Sequence, residues 1–461
     1  MPATQKKTKS CHSLAQILGI ASLAVIIVAG TLAGRALAAE APSEELLQLI
    51  ADLVGDSDNQ MRAIGLQQVR NEAPGEAATK RFVELLPKLR PEARAELVEA
   101  LGERGDAAAR PAVLEMTQSS DEPVRVAALR ALAGVGSDAD VSLLVQRTAA
   151  DSAAEQLAAA QSLVQLKGDR VNAAITAALA PAAPNVRVKL LEILAVRNAK
   201  ESLPAILASA SAPDAAVSLA ALDALRVLAD AGQTGDLVKL LMAATADAQR
   251  TKAEAALLAL CGRAKEKCVP ALAAGLANAD AQTRPVLLQA LARAGGPEAL
   301  QAVGGRLDDE DQSVRDEAVR MLSVWPDRAV APRLVKIAGG ESLRHHVLAI
   351  RGLVRLAAPE GDRPADLKLL ADAIRLAKRR DEKQLALGVL TRAATPESLA
   401  LAVSLLDDPT LAEDVGQAAA AIASNLPAGH QNEIRSAMQK VLDRTKSPQT
   451  REQAQKALDK L

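Results

Sequence analysis

The chain has 461 residues, 55 of them Lys or Arg and 56 Asp or Glu, with a formal charge of −1. It is 49% hydrophobic, yet it holds one Phe, one Trp and no Tyr. These numbers exclude a basic nucleic-acid binder, whose electrostatic footprint is missing, and an aromatic platform for stacking sugars or bases. They leave a thin, uniform core of Ala, Leu and Val, which suits closely packed helices.

The first 38 residues carry Lys6, Lys7, Lys9 and Arg35 and no acids. Three lysines precede a largely apolar stretch, Leu14 to Ala33, and Ala36-Leu37-Ala38 reads as a small-residue cleavage site. This is the layout of a secretory signal peptide. The alternative is an uncleaved N-terminal membrane anchor, because the stretch is nearly long enough to span a bilayer. Either reading places the body, 39–461, outside the cytoplasm, in a periplasm or outside the cell. Without those four cations, 51 basic residues stand against 56 acids, a net charge of −5.

Along the body one pattern recurs: a polar turn, a basic residue, then an Ala/Leu-rich helix. Arg62, Arg94, Arg125, Gln156 and Arg187 follow one another at intervals of 32, 31, 31 and 31, and Arg284 and Arg315 are again 31 apart. Weaker copies hold Lys252 and Arg344. A second marker runs out of phase, a proline at the start of another apolar helix. Pro111 and Pro204 are 93 residues apart, and Pro270 and Pro332 are 62 apart. Proline fits the first helical turn, where its missing N–H costs nothing. Two markers with one period predict a repeating pair of helices, A with the proline and B with the basic residue.

The clearest copy of helix B is "DEPVRVAALRALAGVGSD", Asp121 to Asp138. Val124, Ala128, Ala131 and Val135 make one face of it, and Val314, Ala318, Met321 and Trp325 repeat the spacing. Gly134 and Gly136 are expected to end the helix in the left-handed conformation, and Asp121 to cap its start. The motif D-x-x-V-R-x-x-A-L-x-A-L in 121–132 resembles the HEAT-repeat family, especially the short bacterial, lyase-type form. The resemblance implies an all-α fold, a right-handed α-solenoid of about thirteen HEAT-like helix pairs, with an irregular junction near 357–381. It also implies a ladder between neighbouring units, a role that falls here to Asp121 with Arg125 and to Asp311 with Arg315.

Candidate chemistry is sparse. Cys261 and Cys268 flank one turn, which in an exported protein reads either as a disulfide or as two reduced structural cysteines. Arg344, His345, His346, Arg351 and Arg355 form a basic helix-B surface. It is either a patch for an anionic or acidic partner or an ordinary solvated face. His345 and His346, being adjacent, point about 100° apart on a helix and do not suit one metal. Phosphate-loop, nucleophile-elbow, zinc-protease and calcium-loop motifs are absent from the sequence. No catalytic residue, metal or cofactor is therefore expected.

The function this implies is a non-catalytic exported scaffold or adaptor that binds protein partners on the solenoid surface. It implies no nucleic-acid partner, and a membrane only through a retained N-terminal segment. The alternatives are an accessory subunit of an exported bacterial sugar-acting or haem-binding system, or a lyase-type enzyme. Both rest on family analogy alone.

Overall fold

A computed structural model describes residues 43–461. The leader, 1–38, lies outside the described residues. Among them are twenty-six α-helices, seven short 3-10 segments and no strand beyond one isolated bridge between Glu360 and Arg363.

Shorter and longer helices alternate and form two layers. Short helices such as Arg110–Met116, Val141–Arg147 and Val171–Leu179 are A helices. Long ones such as Pro91–Arg104, Glu122–Val135, Ala153–Gln165, Pro184–Val196, Ala215–Leu228 and Asp247–Ala264 are B helices. Each B helix packs on its own A helix and on the B helix of the next unit. No unit can bury its apolar stripe alone, so stacking creates one core that runs from Leu47 to Ala457. The described chain is an α-solenoid.

The proline marker sits where the backbone needs it. Pro111, Pro204, Pro270 and Pro332 are each the second residue of an A helix, directly after a 3-10 turn. The predicted faces of helix B are buried, Val124 through Val135 and Val314 through Trp325 alike. Phe82 and Trp325 are both buried in the core.

Gly134 and Gly136 have a different role from the one expected. Gly134 lies inside its helix, and Gly136 is extended, with φ −77° and ψ 175°. What Gly134 supplies is room. A Cβ on it would strike the carbonyl oxygen of Gly102, and a Cβ on Gly102 would lie 2.5 Å from Ala131 Cα. The backbones of helices Pro91–Arg104 and Glu122–Val135 approach that closely because both positions lack side chains. The left-handed stop occurs one unit earlier, at Gly105 with φ 73°.

Between helices Leu343–Ala357 and Leu367–Leu376 the chain makes a longer excursion, Ala358–Asp366. Paired backbone bonds between Glu360 and Arg363, and one from Asp366 N–H to Ala357 O, hold it in place. This insertion stretches the local period.

Candidate interaction surface

The repeating basic residue is the fourth residue of helix B, except that Arg284 opens its helix, and its first role is local. The last carbonyls of a helix have no intrahelical partner and carry the negative end of its dipole. Arg62 Nη1 donates to Asp56 O, Arg125 Nη1 to Ser119 O and Ser120 O, and Arg315 Nη1 to Asp309 O and Glu310 O. Each closes the turn left by helix A. Neutral donors take the same place in other units: Gln156 donates to Ala150 O and Ser218 to Ala210 O. Two weaker copies are corrected by this geometry. Arg250, not Lys252, occupies the fourth position and donates to Ala244 O. His346, not Arg344, faces Ala338 O.

The second role is a bridge to the following unit. Arg125 Nε meets Glu155 at 2.8 Å, with the Glu155 side chain 4% exposed, and Arg147 reaches the same carboxylate at 3.1 Å. Arg62 pairs with Glu96 at 2.5 Å, Arg284 with Asp309 at 3.1 Å, and His346 with Glu382 at 3.1 Å. The acid of the ladder is therefore not the turn acid of the same unit. Asp121 makes no side-chain cap bond and does not meet Arg125. Asp311 caps its own helix at Ser313 and Val314, and Arg315 stays within its own turn. In the Arg62, Arg125 and His346 rungs the acid stands on the next helix B, and in the Arg284 rung it is Asp309, in the turn before the next helix B.

A further set of arginines has a capping role that the sequence did not suggest, Arg355 among them, which the sequence placed in the basic patch. Arg104, Arg197, Arg263 and Arg355 stand at the C-terminal ends of B helices and reach back to the preceding one. Arg104 donates to Val69 O, Glu72 O and Ala73 O, and Arg197 to Leu163 O, Val164 O and Leu166 O. Arg263 caps Arg226 O and Ala229 O, and Arg355 caps Ser323 O and Trp325 O. Burial holds the Arg104, Arg197 and Arg355 guanidiniums below their ordinary value. The signal was in the spacing, since Arg104 and Arg197 are 93 residues apart, three periods.

The basic patch does not hold together. His346 is fully buried, and its two ring nitrogens are committed inside the joint with Glu382. Arg355 spends its guanidinium on the carbonyls of the preceding helix. Arg344 and His345 both meet Asp316 of the preceding B helix, at 2.6 and 2.7 Å. Burial would raise the Asp316 carboxyl, but bonds from His345 and Gln312 and the Arg344 charge hold it below its ordinary value. Of the five residues, Arg351 alone is exposed and meets no acid among the described residues. Consecutive letters in the sequence had concealed that the helix turns one histidine inward and the other outward.

Cys261 and Cys268 lie together, both fully buried and both free thiols. Burial, and then the neighbouring Cys268, push the Cys261 thiol well above its ordinary value, which disfavours a nucleophilic thiolate there. Among the described residues no group of three or more His, Cys, Asp or Glu gathers to hold a metal ion, and no helix is long and apolar enough to cross a membrane.

The exposed face of four successive B helices carries a regular pattern. Leu157, Val188 and Leu219 stand one period apart, as do Val196, Val227 and Leu258. Leu157 is 56% exposed, Val196 69% and Val227 51%, while Val188, Leu219 and Leu258 are half-buried, Val188 and Leu258 against the core. Between these two apolar rows run Gln161, Glu192, Asp223 and Glu254, again one per unit. Positions four apart share a face of one helix, and stacking at a fixed period aligns them across helices. Single exposed apolar residues are normal, and it is the alignment of Leu157, Val196 and Val227 at one period that sets these apart.

Residues 79–164 match the family of HEAT repeats, so this part of the chain consists of HEAT repeats. No curated protein matches the chain. Among solved structures, the karyopherin Kap121p bound to the extreme C-terminus of the protein phosphatase Cdc14p is similar at 14% identity and a TM-score of 0.48. That match covers 92% of this chain and 54% of the karyopherin. Importin beta is similar at 14% identity and a TM-score of 0.41, over 90% of this chain and 69% of the other.

Proposed function

We propose that this protein is a non-catalytic exported scaffold that binds a protein partner on the B-helix face between Leu157 and Leu258. The observation that carries the reading is the pair of aligned apolar rows. Solenoids use extended repeated surfaces of this kind for recognition. The face offers apolar contact along its two edges and, between them, the carboxylates of Glu192 and Glu254, which make no ion pair among the described residues. Export rests on the leader, with its basic start, apolar stretch and Ala36-Leu37-Ala38. With export goes closure of Cys261 and Cys268 into a disulfide.

The test uses the full-length chain, expressed with its own leader. Partners are cross-linked in the cell, purified and identified by mass spectrometry, alongside the triple variant Leu157→Asp, Val196→Asp, Val227→Asp. The expected result is a reproducible protein partner that the variant loses while its circular dichroism and Tm stay unchanged. A partner retained by the variant overturns the assignment of this face. Turnover of a substrate by the purified protein overturns the scaffold reading.

A further inference from the structure

In helix Leu343–Ala357 the ladder position belongs to a histidine, and this changes what the rung can do. His346 Nδ1 lies 2.6 Å from Ala338 O, and Nε2 lies 3.1 Å from Glu382 Oε2. The side chains of His346 and Glu382 are 0% and 4% exposed. A backbone carbonyl can only accept. Glu382 Oε2 already accepts from the backbone N–H groups of Lys378 and Arg379, at 3.1 Å each, while Glu382 Oε1 is buried without a partner. Both ring nitrogens therefore face acceptors. With Glu382 ionised and therefore acceptor-only, two bonds need two ring protons, which is the imidazolium form.

The surrounding charges are engaged elsewhere. On the same helix, Arg344 and His345 turn to Asp316 of helix Gln312–Ser323. From helix Ala331–Ala338 the contact is the Ala338 carbonyl, and Lys336 is exposed. On helix Leu367–Leu376, Asp372 and Arg375 pair with each other. Before and along helix Arg380–Ala393, Lys378 Nζ donates to Gly340 O, Arg379 pairs with Asp381, Arg380 with Asp414, and Lys383 with Asp408. Among the described residues the imidazole is the one side-chain cation that meets Glu382.

We propose that His346 and Glu382 form a proton-operated joint between the units before and after the Ala358–Asp366 excursion. With the imidazole doubly protonated, the rung is closed like its arginine counterparts. Loss of either ring proton leaves an acceptor facing an acceptor in a buried site, and the contact loosens. Histidine is the side chain that ordinarily changes charge between about pH 5 and 8. Arginine keeps its charge throughout, so the Arg62–Glu96 and Arg125–Glu155 rungs stay closed. Protonation favours docking, so docking is strongest on the acid side of that range and weakens as pH rises. The joint would set how the last units sit against the rest of the solenoid.

Hydrogen exchange of the full chain read by mass spectrometry, corrected for the intrinsic pH dependence, tests this directly. Amides of residues 378–393 are expected to lose about tenfold in protection between pH 6 and pH 8, the scale of one charge-assisted hydrogen bond. Amides around Arg125 and Glu155 keep theirs, and the variant His346→Gln shows no such pH dependence. Equal protection of 378–393 at the two pH values, or the same loss in the variant, overturns the proposal. A variant that fails to fold leaves the wild-type chain as the probe, through imidazole nitrogen resonances of its four histidines. One buried ring doubly protonated at pH 6 and deprotonating by pH 8 is the expected result. A buried ring neutral throughout overturns it.

Discussion

Replacing Gly102 by alanine sets two opposing effects against each other in one residue. Ala is a better helix former than Gly by about 0.8–1.0 kcal/mol, so an unobstructed replacement stabilises. At Gly102 the new Cβ would stand 2.5 Å from Ala131 Cα and 2.6 Å from Ala131 Cβ. Carbon atoms pack at about 3.5–4.0 Å, so helices Pro91–Arg104 and Glu122–Val135 must part by about 1 Å. The obstacle is backbone and its first side-chain atom, which cannot rotate away. Overpacking of this kind costs about 1–3 kcal/mol, which leaves a net loss of up to about 2 kcal/mol. Gly388, also inside a B helix, has nothing within 4 Å of its missing Cβ and serves as the control. Urea unfolding of Gly102→Ala and Gly388→Ala, with exchange mass spectrometry to localise the change, measures both. Gly388→Ala is expected to stabilise by about 1 kcal/mol and Gly102→Ala to destabilise, with faster exchange confined to the units around residues 91–135. Equal stabilisation by the two refutes the close-approach argument.

Glu155→Ala removes the shared partner of Arg125 and Arg147; urea unfolding is expected to show a loss of about 3 kcal/mol, the scale of an uncompensated buried pair. For Asp140, burial raises the carboxyl, but bonds from Arg110 and Ser137 outweigh it and hold it below its ordinary value. A depressed carboxylate contributes stability that is present above its unfolded value, about 3.9, and lost as pH falls through the lower folded value. Asp140→Asn is therefore expected to lower the urea midpoint at pH 7 and to narrow its gap to wild type by pH 2.5. An unchanged gap would sink that assignment. Non-reducing peptide mapping of the protein expressed with its own leader is expected to recover Cys261 and Cys268 in one peptide lighter by two hydrogens. Closing so short a loop adds about 2.5 kcal/mol, and free thiols in that protein would remove the pairing.

The helix pairs are legible in the sequence because they are local and repeated. Val124, Ala128, Ala131 and Val135 lie on one face by the geometry of a single helix, and the prolines mark where the A helices begin. Thirty-one residues between copies suffice to read the stacking, since each unit meets only its neighbours. The fourth-position arginine is equally visible, and its carbonyl partners lie a few residues upstream.

What the sequence could not assign is which groups meet across units. Asp121 lies four residues from Arg125 and looks like its partner, yet Glu155, thirty residues on, has the geometry to reach the guanidinium. His345 and His346 are neighbours in the chain and end in opposite environments, because a helix rotates successive side chains by about 100° and only packing says which side is covered. Gly134 suggests a helix stop until the backbone of the neighbouring unit shows why no side chain fits. The sequence by itself determined the unit, its period and the inward face of each helix, since these follow from chain-local geometry. The ladder acids, the buried His346–Glu382 joint and the alignment of Leu157, Val196 and Val227 into rows were decided only by the tertiary structure. Most of these depend on distances between atoms that the chain order leaves about one repeat or more apart.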